Sequence, residues 1–275
     1  MPRFRFLLSS RIYNELSLIK EFMKIGLQQA LSYRFDITLQ IIYVLFQVAF
    51  ILIFTRVVSV KLGKFSELTY FEYLASGYIF HNLLFLPRGG LLAFIRSRSF
   101  PMLFISPHRL SILILGFNSF RILWSLFIIS IMFTVFTIIG GLNIPVLSLQ
   151  FFVLMLVSFI TAIALDLFAS GFRLATKSRH DPLNLFIDLS SQLLSGLYFP
   201  VEYLPTPLKE ISLIHPERYI LTCARMLLTK TAFTGIYWQV ISTTSLVSLI
   251  FLIIGYLVFK WGLKISLSLG TIDHY

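Results

Sequence analysis

Six apolar runs, roughly residues 37–57, 70–95, 111–140, 147–172, 183–201 and 236–260, leave this chain few ways to fold. A helix needs about 20 predominantly apolar residues to cross the hydrocarbon core of a bilayer, and each run meets or approaches that length. Ten-residue segments of alternating polarity, the mark of a β-barrel, do not occur. Helices satisfy their own backbone hydrogen bonds in lipid. The whole chain is 57% hydrophobic and 13% charged, whereas a soluble domain is about 45–50% apolar and about 25% charged. The runs therefore predict an all-α integral membrane protein with six transmembrane helices in a single transmembrane domain over residues 1–275, the six-helix bundle itself covering 37–260.

Orientation follows from the basic residues. With both ends in the cytoplasm, the inner segments 1–36, 96–110, 173–183 and 260–275 carry 14 Lys and Arg, and the outer segments 56–68, 141–147 and 203–230 carry 7. Basic loops stay on the cytoplasmic side, so both termini are expected there, in a multi-pass protein of the cell (inner, cytoplasmic) membrane. The net charge of +11 is then explained by loops facing anionic lipid, and no nucleic-acid partner is expected. The opening residues "MPRFRFLLSSRIYNELS" hold too short an apolar core for a secretory signal, so no cleaved leader is expected. The single cysteine, Cys223, excludes an internal disulfide and a multi-cysteine metal site.

Ahead of the first run, Ile12, Leu16, Ile19, Met23, Leu27 and Ala30 recur at steps of three and four. Ser17, Lys20, Glu21, Lys24 and Gln28 fall on the other side. This pattern predicts an amphipathic helix over 10–34, suited to the cytoplasmic interface. The alternative is a soluble helix packed on a partner. In the second run, Pro87 removes a backbone donor and Gly89–Gly90 soften the chain, which predicts a kink.

Catalytic patterns are missing. There is no H-E-x-x-H, no G-x-S-x-G and no cluster of His with carboxylates. No catalytic residue and no metal site is expected. Nor is there a G-x-x-x-x-G-K-[ST] phosphate loop, so any nucleotide binds another chain. Charges inside membrane segments default to functional hypotheses. Arg121 lies 20 residues before Gly141, and Asp166 lies 20 residues after Val146. A short connection joins their helices, so the two are expected at similar depth as a structural ion pair. A lone mid-membrane charge costs about 2.5–3.5 kcal/mol, which pairing offsets. Asp181-Pro182 reads as a helix start. Asp188 follows, with Arg173, Lys177 and Arg179 as candidate partners. His81, beside Asn82 on an apolar helix, reads as a packed, hydrogen-bonded residue rather than a ligand.

Residues 195–216, "SGLYFPVEYLPTPLKEISLIHP", break the fifth run near its far end. Ser195-Gly196 loosens the helix and Pro200 ends it. A polar turn, a short helix "LKEISLI", a break at "HP" and an amphipathic "ERYILTCARMLLTK" follow. Such a stretch fits an external re-entrant hairpin over 201–230, between helices five and six. Irregular backbone survives at that depth only where protein or a water-filled cavity surrounds it. An ordinary external loop with an interfacial helix is the alternative.

"SGLYFPVEYLP", then a short helix, a Pro-marked break and "RYILTCARMLL", resembles the C-terminal signature of type-2 ABC exporter membrane subunits, the permeases of ABC transporters. The likeness covers nearly the whole chain. The loop "RSRSFPMLFISPHRLS" at 96–111 looks like that family's coupling helix, although it opens with arginines where many members carry an acidic residue. Its apolar residues have no lipid to enter, and an exposed cluster of this kind implies a docking groove on a partner. Repacking under its own bundle is the alternative.

The resemblance implies two ABC ATPase subunits at this cytoplasmic coupling segment, 96–110, contacted by Arg98, Phe100, Pro101, Met102, Leu103, Phe104, Ile105 and Ser106. It places ATP and Mg on those partners and no cofactor on this chain, which would be a non-catalytic transport subunit. It also implies a second membrane subunit, identical or homologous. A substrate path would run along helices one and five, with Gln40, Tyr43, Gln47, Gln192 and Tyr198 as its candidate lining. An exit gate would lie at Gly196, Phe199, Pro200 and Pro205. The expected function is efflux of amphiphilic molecules of drug or lipid type. The alternatives are a glycolipid or polysaccharide export permease, or a membrane-embedded enzyme or scaffold without an ATPase.

Overall fold

The computed structural model describes residues 2–62, 64–65, 68–89, 91, 95, 110–146, 148–176, 182–229 and 234–269. Its elements run in the order α1 (Pro2–Ser32), α2 (Arg34–Leu62), a short antiparallel pair β1 (Lys64–Phe65) and β2 (Leu68–Thr69), α3 (Tyr70–Phe85), α4 (Leu110–Gly140), α5 (Leu149–Thr176), α6 (Pro182–Leu194), a 3-10 turn (Val201–Tyr203), α7 (Thr206–Ser212), α8 (Pro216–Met226) and α9 (Gly235–Ser268). The described residues are helical or irregular apart from the two-residue strands. Four helices among the described residues are long and apolar enough to cross a membrane: Arg34–Val57, Ile112–Gly140, Leu149–Thr176 and Gly235–Ser268. The second and fifth apolar runs form shorter helices, α3 of 16 residues and α6 of 13.

At the centre lies α3. All twelve residues from Tyr73 to Leu84 are buried except Tyr78, which is half-buried. A helix apolar all round belongs inside a bundle. Its start is fixed by a capping box. Thr69 Oγ1 accepts from the Glu72 N–H, and Glu72 Oε2 accepts from the Thr69 N–H at 2.8 Å. Around it, Val48, Leu83, Ile128, Phe136, Leu154, Leu221 and Tyr237 draw α2, α4, α5, α8 and α9 into one core.

The tightest packing joins α5 to α9. Ser248, Gly255 and Gly262 repeat at seven residues and face Thr161, Ala164 and Gly171. A methyl group at Gly262 would be driven into the Gly171 carbonyl, and one at Gly255 into the Ala164 carbonyl. Only hydrogen fits there. Thr161 and Ser248 hydroxyls meet across the seam at 2.7 Å. In lipid, where apolar area gives no advantage to contact between helices, small residues and interhelical hydrogen bonds hold helices together.

The N-terminal helix packs on α4 through two reciprocal contacts. Phe22 lies over Gly116, and Phe120 lies over Gly26. The numbers rise together, so α1 runs parallel to α4 at this contact. Ile19, Met23 and Ala30 of the expected apolar face are half-buried, whereas Leu27 is exposed; Ile12 and Leu16 lie outside the described side chains. Outward, α2 shows an apolar stripe, with Leu39, Ile42, Phe46, Phe50, Ile53 and Val57 exposed at helical spacing.

Candidate functional site

The break after α3 sets the first feature. Helix α3 ends at Phe85, residues 86–89 turn, and Gly89 has φ +86°. Glycine alone enters that region without strain. A break inside an apolar bundle frees backbone groups that no water can satisfy. Two charged side chains satisfy them here. Asp166 of α5 accepts from the Gly89 N–H at 2.7 Å and the Leu91 N–H at 3.3 Å. Arg121 of α4 donates Nη1 to the Arg88 carbonyl at 3.0 Å. The expected Arg121–Asp166 ion pair is therefore not formed. Each charge binds the broken main chain between them, because an orphaned buried peptide group demands a partner as strongly as the opposite charge does.

A second cluster lies deeper. His81 of α3 meets Glu217 of α8, Nδ1 to Oε1, at 2.6 Å, and its Nε2 lies 3.6 Å from Asp188 Oδ1 of α6. A carboxylate only accepts, so His81 carries its proton on Nδ1. Glu217 is fully buried. Asp188 accepts from Gln192 Nε2 at 3.2 Å, and Gln192 Oε1 accepts from the Tyr198 hydroxyl at 3.3 Å. Ser191 and His215 Nε2 lie 3.2 Å apart. His81 is thus packed and hydrogen-bonded. Asp188 faces His81 of α3; of the partners anticipated for it, Lys177 and Arg179 lie outside the described residues, as does Asp181.

The third feature is the turn that ends α6. Gly196 has φ +79°, and its carbonyl accepts from the Tyr73 hydroxyl and from Arg225 Nη2, both at 2.7 Å. The Arg225 guanidinium lies 3.6 Å from the centroid of the Tyr73 ring. Phe199 packs on Leu194, Val201 and Leu204. Pro200 precedes the 3-10 turn and Pro205 precedes α7. Along α3, Tyr73 faces this turn, Gly77 faces Arg225, and His81 faces Glu217. Helix α8 therefore runs antiparallel to α3, eight residues along it, or about 12 Å at ~1.5 Å per residue.

Beyond the break opens a groove of about 790 Å³ between α1, α2, α4 and the end of α3. Gln40 and Tyr43, two of the expected path residues, line it together with Tyr33, Phe85, Trp124, Arg88 and Arg121. Gln40 Oε1 accepts from Trp124 Nε1 at 2.7 Å. Gln47 donates to the Tyr43 hydroxyl from one turn further on. Gln47, Gln192 and Tyr198 are not part of the groove lining. The last two belong to the Asp188 cluster. The expected ATPase contacts, Arg98, Phe100, Pro101, Met102, Leu103, Phe104, Ile105 and Ser106, lie outside the described residues.

Sequence reading missed Glu217 and Arg88. Glu217 follows Pro216 in a segment read as external, where a carboxylate looks solvated. A fully buried charge beside Pro at a helix start is distinguishable only once its partner is known. Among the described residues no group of His, Cys, Asp or Glu is arranged to hold a metal ion. No model of a known protein family matches the chain, and no curated protein matches it.

Proposed function

We propose that this chain is the membrane-spanning permease subunit of an ATP-driven ABC exporter that moves amphiphilic molecules, of drug or lipid type, out of the cytoplasm. In this reading α3 with the helical residues beyond its break, and α6 with the turn after it, supply the second and fifth of six crossings. Residues 201–230 form a hairpin that re-enters the outer leaflet. Both termini and residues 96–110 face the cytoplasm, where two ATPase subunits carrying ATP and Mg would dock. A second membrane subunit, identical or homologous, would complete the path, and the exposed stripe of α2 is the apolar face such a subunit or lipid would cover. The chain itself performs no chemistry.

One observation carries the reading: a buried polar seam follows α3 from end to end. It runs from the groove at Arg88 and Arg121, through His81, Asp188 and Glu217, to the turn at Gly196. The groove lies where α1 meets α2 and α4 begins, and the Gly196 turn lies at the opposite end of α3. Intramembrane polar groups arranged this way mark pathways more often than scaffolds. Closure of cytoplasmic partners on the 96–110 loop would tilt α3 against α4 and α5, a rigid-body device.

Two measurements test this. The chain, expressed with candidate ABC ATPases from its own genome, should co-purify with one of them and hydrolyse ATP, and Phe100→Asp with Phe104→Asp should abolish that coupling. Retained ATPase coupling in the double variant would remove the assigned docking loop. In a Cys223→Ser background, Ser99→Cys should react with an impermeant maleimide only after the membrane is opened. Labelling from outside intact cells would overturn the orientation.

A further inference from the structure

His81 is held by one hydrogen bond and faces a second acceptor across a gap. Its Nδ1–H donates to Glu217 of α8. Its Nε2 lies 3.6 Å from Asp188 Oδ1 of α6, too far for a hydrogen bond. With the ring proton on Nδ1, both atoms across that gap carry only lone pairs. Asp188 Oδ1 is buried and has no hydrogen-bond partner, while Oδ2 of the same carboxylate accepts from Gln192. A buried acceptor without a donor is costly, and one proton between these two atoms satisfies both.

The charges ask for the same proton. Among the described residues, three guanidiniums, Arg88, Arg121 and Arg225, and four carboxylates, Asp166, Asp188, Glu202 and Glu217, act on one another here. The guanidiniums are engaged with main chain: Arg88 donates to the Leu84 carbonyl, Arg121 to the Arg88 carbonyl and Arg225 to the Gly196 carbonyl. The other neighbours of His81 are Tyr78 and Phe85 of α3, against its ring, and the imidazole of His215, just ahead of α8. With both imidazoles neutral, the set is one positive charge short, and His81 lies between two of the carboxylates. The Asp188 side chain is 18% exposed, which gives a proton its way in.

We infer that His81 and Asp188 form a proton-binding site that ties α6 to α3. The proton passes from hydronium to Nε2, and water leaves. The ring becomes an imidazolium, keeps its bond to Glu217 and donates the new N–H to Asp188 Oδ1. Helices α3, α6 and α8 are then joined through one ring. Without the proton, the ring joins only α3 and α8. The site needs neither an ATPase nor a transported molecule.

Nitrogen NMR tests it. The full chain is placed in phosphatidylcholine nanodiscs with 15N-labelled histidine, and His108, His180 and His274 are replaced by asparagine. Two imidazoles remain, and either His81→Gln or His215→Asn tells them apart. The pH is taken from about 10 down to about 5, a range that spans most histidines of folded proteins. The His81 Nε2 resonance should move from the position of a bare ring nitrogen to that of a protonated one, with Nδ1 protonated throughout. Hydrogen exchange at the α6 amides, corrected for the intrinsic effect of pH, should slow about tenfold over the same transition, the equivalent of one charged hydrogen bond. Asp188→Asn offers an amide N–H to Nε2 in place of the proton and an oxygen to Gln192, so α6 should exchange slowly at every pH. A His81 Nε2 that never changes state over this range overturns the proton site. Titration of Nε2 without a change in α6 exchange overturns the tie, as does an unaltered pH dependence of exchange in Asp188→Asn. The first two comparisons use the parent aspartate and stand even should Asp188→Asn not fold. Neither ATP nor a partner enters the measurement, so its failure and the failure of ATPase coupling are separate outcomes.

Discussion

Two regions of this molecule are held together by opposite means. Helices α5 and α9 meet through glycine, alanine, serine and threonine, with backbones so close that no side chain intervenes. Helices α3, α6 and α8 meet through His81, Asp188, Glu217, Tyr73 and Arg225, with two broken helices among them. The first arrangement has one solution, because displaced glycines have nothing else to pack against. The second consists of discrete polar contacts between side chains of three helices. Under the proposed function, the first would be the frame that keeps its shape and the second the seam that rearranges.

The comparison can be broken experimentally. Glu217→Ala leaves His81 buried without its acceptor and should cost about 3–5 kcal/mol, as removal of one partner of a buried pair does. Unfolding of the purified protein by titration with sodium dodecyl sulfate measures it. A loss no larger than that of a surface substitution would mean the seam is not structural. Gly262→Leu should cost about 3 kcal/mol by the same titration, since the clash falls on a backbone carbonyl that cannot turn aside. Full stability in that variant would show that the α5–α9 pair can open. A double-mutant cycle of Thr161→Val and Ser248→Ala should return a coupling of only about 0.6 kcal/mol, typical of hydrogen bonds between membrane helices. A value above that of the Glu217 pair would invert the contrast.

The smallest effect should be no effect. Cys223 is fully buried on α8, 3.4 Å from the Thr244 hydroxyl. A reagent must reach the sulfur to react, so maleimide at neutral pH should leave the folded protein unlabelled and should modify it after unfolding. Prompt labelling of the native protein would place the seam of α8 within reach of water.

What the sequence could reveal depended on how local the cause was. The apolar runs are local, and they mark α2, α4, α5 and α9 directly. Pro87 and Gly89 are local too, and α3 stops just before them. So are Ser195 and Gly196, where α6 stops. The partners of the buried charges are not local. His81 and Glu217 are 136 residues apart, and no periodicity relates them. Arg121 and Asp166 are at a common depth, as their equal distances from the α4–α5 turn imply. Depth alone favoured joining them to each other. The competing acceptors and donors were main-chain groups at 88–91, which exist only because the helix is broken there. A residue list shows charges and hides orphaned peptides.

The grip of Asp166 on Gly89 and Leu91 falls on main-chain nitrogens alone. A side chain that reads peptide groups does not distinguish which residue bears them. Natural variants should therefore be limited at position 91 only by the apolar core it shares with Ile114, Leu167 and Phe259, and should tolerate no change at position 166, even to asparagine, whose amide offers a single acceptor oxygen where two are in use.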